Sequence, residues 1–290
     1  MGDVTELRDD PAELRAVAEQ LATEAAAYVR HRRGEVFGGR ELATDAVRTK
    51  STPTDPVTIV DTETERLLRD RLAQLRPGEA VVGEEGGGRP APDGESISWV
   101  LDPVDGTVNF VYGLPAYAVS VAAQRDGASV AGAVADVVGG RLYSAGLGMG
   151  AGVTDGAGAR RPLRCSDVTN ISMALVGTGF GYSRDRRRTQ AALVAKLLPV
   201  IRDIRRIGSA SLDMCWVAGG NLDAHFEHGL NPWDWAAGAL IAAEAGAWVR
   251  LPAPRAPANS AGLTLVAAPG IASELLDLLE RLGAADTLLE

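Results

Sequence analysis

Four acidic residues stand where strands end or a helix begins, and their types and positions could support metal chemistry. Glu84 follows a short apolar run, Asp102 and Asp105 follow a second one, and Asp234 lies at the start of an apolar stretch. Carboxylates at the ends of adjacent strands can converge on one point, where they repel one another unless some are protonated. A hard divalent cation removes that repulsion, and Mg²⁺ prefers oxygen ligands. Two such ions about 4 Å apart can hold a phosphate group and stabilise both the attacking and the leaving oxygen.

The hexapeptide DPVDGT, which runs from Asp102 to Thr107, carries most of this pattern. Pro103 interrupts a strand ladder and fixes a turn that can aim both carboxylates at one site, with the Val104 carbonyl between them. Gly106 lets the backbone approach a phosphate closely, and the Thr107 hydroxyl could orient a water molecule.

Simpler interpretations stay open for each of these residues taken alone. Asp, Pro and Gly are common turn residues, so DPVDGT could be a surface turn. Glu84 and Glu85 could form a solvated acidic loop. Asp234 could only cap a helix, and Asp55 could only form a turn with Pro56. A calcium loop of the EF-hand type fits less well, because its alternating ligands and terminal Glu are missing.

Helices and strands predicted from residue periodicity place these carboxylates near one another. A helix begins at Asp10-Pro11 and a second one follows Asp61, each with an apolar face at helical spacing. Strands at 80–82 and 97–101 then run directly into the acidic residues. Further strands joined by hairpin signals predict an antiparallel region. They are 117–124, 129–138 and about 141–147.

The pattern changes near residue 160, and we predict two halves that both combine helices and strands. The first, residues 1–160, carries most of the metal candidates, and the second, residues 161–290, carries the rest and the substrate contacts. The segment 31–48 is charged and contains glycine, so we expect a loop or lid there. The segment 86–96 is a second polar insertion.

Composition and charge argue against several classes of protein. The 290 residues are 46% hydrophobic, enough for a large core, and the formal net charge of −9 disfavours non-specific binding to nucleic acid or anionic membranes. We expect no secretory signal and no membrane span, because no apolar run approaches roughly 20 residues. Cys165 and Cys215 lie far apart in apolar runs, so we expect two reduced thiols and a cytoplasmic protein.

Several stretches taken together resemble the inositol monophosphatase family. GEE occupies 83–85, WVLDPVDGTVNFVYGLP occupies 99–115 and PWDWAAGALIAAEAG occupies 232–246. KSTPTDPVTIVD and RRIGSASLDMCWVAGGNLDAHFE are also similar to family segments, and the likeness extends over roughly residues 12–282. The resemblance implies a layered α-β-α-β-α sandwich of the inositol monophosphatase and fructose-bisphosphatase type. It also implies a homodimer, activation by two to three Mg²⁺ ions and often inhibition by Li⁺.

The resemblance implies a metal-binding role for five residues. Glu84, Asp102 and the Val104 carbonyl would bind one Mg²⁺. Asp102, Asp105 and Asp234 would bind a second ion, and a third ion would be held more loosely.

The resemblance also implies catalytic and substrate-binding roles. Glu84 and Thr107 would position and activate the attacking water, and Asp55 would support the water or the outer shell of the site. Glu227, seven residues before Asp234, matches the family residue that contacts substrate hydroxyls. The residues implied to hold the substrate are Asp105, Gly106, Thr107, Gly208, Ser209, Ala210, Glu227 and Asp234.

The expected reaction is hydrolysis of a small phosphorylated polyol, inositol 1-phosphate, to inositol and phosphate. No G-x-S-x-G or P-loop string suggests a different mechanism. Fructose 1,6-bisphosphate, histidinol phosphate and nucleotide 3′-phosphates remain alternative substrates. Val104 replaces a more usual Ile, while Asn231-Pro232 and Tyr182-Ser183 stand where we expect other residues, so the rim of the site could differ.

A binding role is the rival hypothesis from a different class. Some bacterial members of the family attach to the transcription machinery. The basic run Arg184–Arg188 could serve a protein or nucleic-acid partner, with Arg202, Arg205 and Arg206 nearby. A solvated helix face is the simpler interpretation of these charges. His225 and His228 flank Glu227, but we expect no transition-metal site there, because residues three apart on a strand face opposite sides.

Overall fold

Two large β-sheets and three layers of helices alternate through the molecule, and the short strands Val47–Thr49 and Pro56–Thr58 form a small separate sheet. The structure is a computed structural model that describes residues 9–38, 47–50, 55–92, 95–252 and 262–284. Three buried apolar clusters fill the spaces between the layers, whose order is α-β-α-β-α. The layered sandwich implied by the resemblance is confirmed.

The secondary structure of the described residues consists of helices and strands with the following bounds. The helices are α1 (Pro11–Phe37), α2 (Ile59–Leu75), α3 (Thr107–Tyr112), α4 (Arg184–Leu197), α5 (Ala210–Ala218), α6 (Pro232–Glu244) and α7 (Pro269–Arg281). The strands are β1 (Val47–Thr49), β2 (Pro56–Thr58), β3 (Ala80–Gly83), β4 (Ser98–Asp105), β5 (Ala118–Arg125), β6 (Ala128–Asp136), β7 (Arg141–Gly146), β8 (Ala151–Thr154), β9 (Arg160–Pro162), β10 (Leu175–Thr178), β11 (Asp203–Arg205), β12 (Ala224–His228), β13 (Trp248–Arg250) and β14 (Leu263–Ala267). Among these helices, none is long and apolar enough to cross a membrane.

The first sheet has seven strands in the order β3-β4-β5-β6-β7-β8-β9. Only β3 and β4 run parallel, and all later neighbours are antiparallel, so the predicted hairpins are confirmed. Both faces of this sheet are buried against helices. Alternate residues of one strand therefore pack into different apolar clusters. In β5, Val119 and Val121 join the cluster beneath α1 and α2, whereas Ala118 and Ala122 join the cluster of α5 and α6.

The second sheet has five strands in the order β11-β10-β12-β14-β13. β10 runs parallel to both β11 and β12, while β14 is antiparallel to its neighbours. The carboxyl ends of β10 and β12 therefore meet at one edge, a common place for ligand sites in such sheets. α5 and α6 lie between the two sheets, and α4 and α7 cover the outer face of the second.

The first helix is longer than the sequence predicts. Asp10 caps it as predicted, but the helix continues to Phe37. The loop predicted at 31–48 is therefore wrong for its first seven residues. The physical reason is a contact between two helices. The Arg32 guanidinium lies 2.8 Å from the Glu63 carboxylate of α2 and ties this last part of the helix to its neighbour.

The other expected loops are partly ordered by contacts with β2 and α2. Residues 39–46 and 93–94 lie outside the described residues, whereas 47–49 form β1, which pairs with β2. In the 86–96 segment, the Gly87 carbonyl accepts a hydrogen bond of 2.6 Å from Arg69 of α2. The polar insertion is therefore anchored at its first turn.

The chain passes from the first sheet to the second near the predicted boundary, but the two sheets share one apolar core. β9 ends at Pro162 and β10 begins at Leu175. One apolar cluster nevertheless joins Val100 of the first sheet to Trp235 of α6 and Val266 of the second sheet. The division into residues 1–160 and 161–290 stays a prediction.

Candidate active site

A β-bulge in β4 turns Asp102 and Asp105 toward the same side of the first sheet. Asp102 pairs with Ser120 of β5 and Asp105 pairs with Ala118, so three steps along one strand match two steps along the other. Pro103 lies within the bulge, where it has no N–H to contribute to the ladder. Both carboxylates therefore share the face that α6 covers, as the DPVDGT motif predicted.

A cavity of about 570 Å³ brings the predicted site residues together. Its walls come from both sheets and from the helices between and beside them. Each residue predicted for catalysis, metal binding or substrate binding lines it, apart from Ser209, which lies just behind. They are Asp55, Glu84, Asp102, Val104, Asp105, Gly106, Thr107, Gly208, Ala210, Glu227 and Asp234. The structure shows their proximity, and the role of each one stays a prediction.

Buried carboxylates at this cavity raise one another's pKa. Burial, followed by the charges of Glu84, Asp105 and Asp234, raises the pKa of Asp102 well above its ordinary value. Burial also raises the pKa of Glu84 to about 7, although the Lys50 ammonium opposes that shift. Negative charges meeting away from water are unfavourable, and a divalent cation relieves this repulsion.

Each of the four carboxylates already has one oxygen bonded to a protein donor. Asp102 accepts from the Val104 N–H (3.0 Å), and Asp234 accepts from the Asn231 N–H (2.6 Å). Asp105 accepts from the Ser209 hydroxyl (2.6 Å) and from the N–H (2.8 Å) and hydroxyl of Ser211. Glu84 accepts from the Lys50 ammonium (2.7 Å). No three acidic, His or Cys side chains of the described residues form a ready-made ligand cluster. The second oxygen of each carboxylate has no hydrogen bond within the described chain. An all-oxygen set of the kind that Mg²⁺ takes is therefore left at the cavity.

The hydrogen-bond partner of Thr107 is a residue that the sequence interpretation missed. Thr107 Oγ1 lies 3.0 Å from Asp61 Oδ1 and 3.1 Å from the Val104 carbonyl oxygen. The other oxygen of Asp61 accepts from the N–H (3.0 Å) and the hydroxyl of Thr58 in the capping box of α2. Burial raises the pKa of Asp61, and the bonds from Thr58 and Thr107 oppose that shift. Asp55, predicted to support the water, lines the cavity, but the carboxylate that contacts Thr107 is Asp61.

Lys50 is a second residue at the site without a predicted role. Its ammonium donates to Glu84 at 2.7 Å and to Glu85 at 2.5 Å. Burial alone would lower the pKa of Lys50, but these two carboxylates raise it overall, so the side chain is cationic. Lys50 therefore offsets part of the negative charge on the Glu84 side of the cavity.

Glu65 of α2 fixes the turn that presents Glu84. Its carboxylate accepts from the backbone N–H groups of Glu85 (2.7 Å) and Gly86 (2.8 Å) and from Arg69 Nε (2.8 Å). A Cβ at Gly83 would lie 2.4 Å from this carboxylate, so a larger residue there would displace Glu65 from the turn. The GEE motif thus depends on a buried acid twenty residues earlier.

Replacing Glu65 with glutamine is expected to weaken metal binding without unfolding the protein. The amide would present an NH₂ group to one of the backbone donors, so the turn would loosen and displace Glu84. We expect the Mg²⁺ concentration for half-maximal activity to rise roughly 10- to 100-fold, as for residues that orient metal ligands. Calorimetric titration with Mg²⁺ should show the same loss. Glu63→Gln on the same helix is the control, because Glu63 contacts Arg32 and Tyr28. An unchanged Mg²⁺ requirement in folded Glu65→Gln protein would show that the turn holds without this acid.

Gly106 brings the two halves of the chain into contact at the cavity. Its φ is +96°, a left-handed conformation that favours glycine. An added Cβ would lie 3.0 Å from the carbonyl oxygens of both Ala116 and Gly208. The close approach therefore leaves room only for glycine at position 106. This residue directly precedes Thr107 and the start of α3.

The basic run Arg184–Arg188 contributes to the cavity as well as to the surface. It forms the start of α4. Arg188 lies 2.5 Å from Asp185 in an exposed ion pair, whereas Arg186 and Arg206 line the cavity. The run is therefore not a single solvated face.

The chain matches the sequence profile of the inositol monophosphatase family over residues 10–284. An inositol-1-monophosphatase of Mycobacterium leprae (strain TN) is 64% identical over 288 residues, which cover 97% of this chain and 98% of the relative. The solved structure of Mycobacterium tuberculosis SuhB has a TM-score of 0.81 at 56% identity and covers 96% of this chain and 100% of its own. A Nus factor SuhB of Pasteurella multocida (strain Pm70) is 35% identical over 243 residues, 83% of this chain and 89% of the relative. The chain therefore belongs to the inositol monophosphatase family.

Proposed function

We propose that the chain is a Mg²⁺-dependent phosphatase that hydrolyses inositol 1-phosphate to inositol and phosphate. The observation that carries the proposal is a single cavity lined by four metal-type carboxylates, the Thr107 hydroxyl and Glu227. The name of the Mycobacterium leprae relative, an inositol-1-monophosphatase, supports this substrate.

Five residues would hold the metal in this proposal. Glu84, Asp102 and the Val104 carbonyl would hold one Mg²⁺, and Asp102, Asp105 and Asp234 would hold a second, with a third ion bound more loosely. When bound, the ions supply positive charge that binds the phosphate and stabilises the attacking and leaving oxygens. The requirement for Mg²⁺ is supported by the carboxylate repulsion described above.

The Thr107–Asp61 pair is arranged to take a proton from the attacking water. The Thr107 hydroxyl has one proton for two acceptors, Asp61 and the Val104 carbonyl. When the Val104 carbonyl serves as a ligand, that proton goes to Asp61, and the Thr107 oxygen can accept a hydrogen bond from a water in the cavity. Burial raises the pKa of Asp61, which suits it to receive the proton passed on by Thr107.

The substrate would lie along the cavity, with its phosphate group at one end and its polyol at the other. Backbone N–H groups of Gly106 and Thr107 would bind the phosphate, and Gly208 and Ala210 would line the path between the ends. Glu227 would accept hydrogen bonds from hydroxyl groups of the polyol. The alternative substrates differ at the polyol end, where Arg186 and Arg206 could meet an additional anionic group.

Three further properties belong to the same proposal. A homodimer is supported by the family resemblance. A cytoplasmic location is supported by two free, buried cysteines, Cys165 and Cys215, because reducing compartments keep thiols unpaired. A second role in transcription is supported by the 35% identity to a Nus factor, although two of the arginines considered for it, Arg186 and Arg206, line the cavity.

Phosphate release from a substrate panel tests the proposal. The panel contains inositol 1-phosphate, fructose 1,6-bisphosphate, histidinol phosphate and adenosine 3′,5′-bisphosphate, each measured with Mg²⁺ and with EDTA. We expect release only with Mg²⁺, and a kcat/KM for inositol 1-phosphate roughly tenfold or more above the others, because a polar site rejects substrates that leave its groups unpaired. Preference for another member of the panel would replace the substrate. No release from any of them by folded protein would overturn the phosphatase assignment.

A further inference from the structure

A buried histidine connects Glu227 to the protein interior. His225 and Glu227 lie two residues apart on β12 and therefore share one face of the sheet. The fully buried His225 ring has Nε2 3.6 Å from Glu227 Oε2 and Nδ1 3.3 Å from Asp213 Oδ2 of α5. His228 belongs to the opposite face, where its Nε2 lies 2.7 Å from the Ala284 carbonyl oxygen. The result is a chain of acid, imidazole and acid whose outer member lines the cavity.

The two acids on either side of His225 favour the charged form of its imidazole ring. Both neighbours of the ring are carboxylates, which only accept hydrogen bonds when ionised, and a neutral imidazole has only one N–H to donate. Both ring nitrogens and Asp213 Oδ1 are buried and have no hydrogen-bond partner among the described residues, so the two carboxylates meet the ring as close charges. Only an imidazolium can present an N–H to each acid, and without its positive charge the buried carboxylates would be left uncompensated.

The charges around the ring agree with this assignment. Burial alone would lower the pKa of His225, but Asp213, then Glu227 and Asp105, raise it overall. Burial raises the pKa of Glu227 to about 7, and the charges of His225 and Arg206 oppose that shift. With His225 cationic, Glu227 can remain a carboxylate. Without that cation, two buried acids would face each other through the sheet and Glu227 would take up a proton.

The position of the Glu227 carboxylate is also fixed by its surroundings. A Cβ at Gly179, directly after β10, would lie 2.1 Å from the carboxylate, so the side chain fills the space that glycine leaves. His225 Nε2 lies 3.6 Å from Oε2 of the same carboxylate. Glu227 is therefore held in one place at the cavity wall with its acceptor oxygens available.

We propose that His225, itself fixed by Asp213, is a positioning residue that keeps Glu227 ionised and oriented to accept hydrogen bonds from a pair of substrate hydroxyl groups. The inference rests on the proposed function, because it assigns Glu227 to the polyol end of the substrate. A carboxylate can accept from two neighbouring hydroxyls, whereas a protonated acid has a donor in place of one acceptor. The protein would then prefer polyol phosphates to phosphate esters without such hydroxyls.

The kinetic test compares His225→Gln, Glu227→Gln and the control His31→Gln on two substrates. His31 is exposed on α1 beside Glu35, so the control has the same chemistry away from the cavity. With inositol 1-phosphate, we expect both β12 variants to raise KM roughly 10- to 100-fold, the range for hydrogen bonds to a charged group, with kcat changed by less than about threefold. With p-nitrophenyl phosphate, which has no polyol, the kinetics of His225→Gln should match the control. The double variant should be no worse than Glu227→Gln, because both changes act on one interaction.

The pH dependence distinguishes positioning from general damage. In His225→Gln, the fall of KM for inositol 1-phosphate that accompanies ionisation of Glu227 should come at a higher pH than in wild type, because the His225 cation no longer lowers the pKa of Glu227. A KM equal to wild type, or an equal loss on both substrates, overturns the inference. Both results leave the phosphatase proposal standing, because release that depends on Mg²⁺ is measured in the same experiment.

A spectroscopic measurement tests the charge of His225 without using activity. The chain has three histidines, so the ring signals in the ¹⁵N NMR spectrum of the Mg²⁺-loaded protein can be assigned with His225→Gln and His31→Gln. We expect the His225 ring to carry protons on both nitrogens at pH 7.5, above the ordinary histidine pKa of about 6.5. Asp213→Asn should shift its titration to lower pH. A neutral His225 ring at pH 7.5 in the wild type overturns the inference, even if the preferred substrate proves to be another polyol phosphate.

Discussion

Replacement of Asp102 by asparagine is expected to abolish phosphate release while making the metal-free protein more resistant to unfolding. The variant removes a ligand shared by both proposed ions, and we expect kcat/KM to fall about a thousandfold, because metal stabilisation of charge in the transition state contributes several kcal/mol. It also removes a buried charge that Glu84, Asp105 and Asp234 repel. The amide oxygen of the new side chain can still accept from the Val104 N–H, so the turn should keep its shape.

Thermal unfolding with and without Mg²⁺ separates the two effects of this variant. In EDTA, Asp102→Asn should melt at a higher temperature than wild type. At a Mg²⁺ concentration a hundred times its dissociation constant, wild type should gain about 2.7 kcal/mol, while the variant gains much less. Asp155→Asn, in an exposed turn, is the control. A lower melting temperature for Asp102→Asn in EDTA would show that the carboxylates do not strain the metal-free fold.

The same carboxylates fix the direction of the pH dependence. Because their pKa values are raised in the folded state, the folded protein binds more protons than the unfolded chain above the ordinary carboxyl range. The free energy of unfolding of metal-free protein should therefore fall as pH rises from about 4.5, the ordinary value for Glu84, to about 7. Saturating Mg²⁺ should flatten this dependence, because bound cations favour the ionised carboxylates. Denaturant titrations at each pH measure it.

Replacement of Thr107 by valine is expected to lower kcat about 100- to 10,000-fold, the usual contribution of a positioned general base. Valine keeps the shape of threonine but removes the hydroxyl that contacts Asp61 at 3.0 Å. KM should change little, because the proposed hydroxyl acts on the water rather than on the substrate. Thr107→Ser, which keeps the hydroxyl, should retain most of the activity.

Asp61→Asn completes the test of the Thr107–Asp61 pair. If both residues move one proton, the double variant Thr107→Val with Asp61→Asn should be about as slow as the worse single variant. Fully additive losses would contradict a shared proton path. The thermal melting of Asp61→Asn must be measured alongside, because this buried side chain also accepts from Thr58 at the start of α2.

Local signals in the sequence were sufficient to predict the parts of the site that depend on neighbours along the chain. Pro103 between two aspartates predicts an interrupted strand, and the structure has a bulge at that place. Asp126-Gly127 and Gly139-Gly140 predict two hairpins of the first sheet. In each case the determining interaction spans only a few residues, so single-residue chemistry decides the outcome.

Contacts between distant elements produced the features that the sequence interpretation missed. Asp61 and Glu65 reach the site only because α2 packs beside β4, with Glu65 bonded to the turn at Glu85. Lys50 contacts Glu84 across 34 residues of sequence. α1 continues through residues 31–37 because its end is tied to a neighbouring helix. None of these pairings follows from residue spacing within one element, since each depends on how the layers stack.

The placement of α6 between the sheets has a consequence for the order of synthesis. The last strand of the first sheet ends at Pro162, yet the side of that sheet bearing Val100 and Ala118 is covered by a helix that is completed only at Glu244. At about 5 to 20 residues per second, a ribosome needs roughly 4 to 16 seconds to make the intervening segment. During that interval the nascent chain carries an uncovered apolar surface, which is a substrate for chaperones. The proposed metal ligands Asp102 and Asp234 come together only when that interval ends, so we expect no partly active stage during translation.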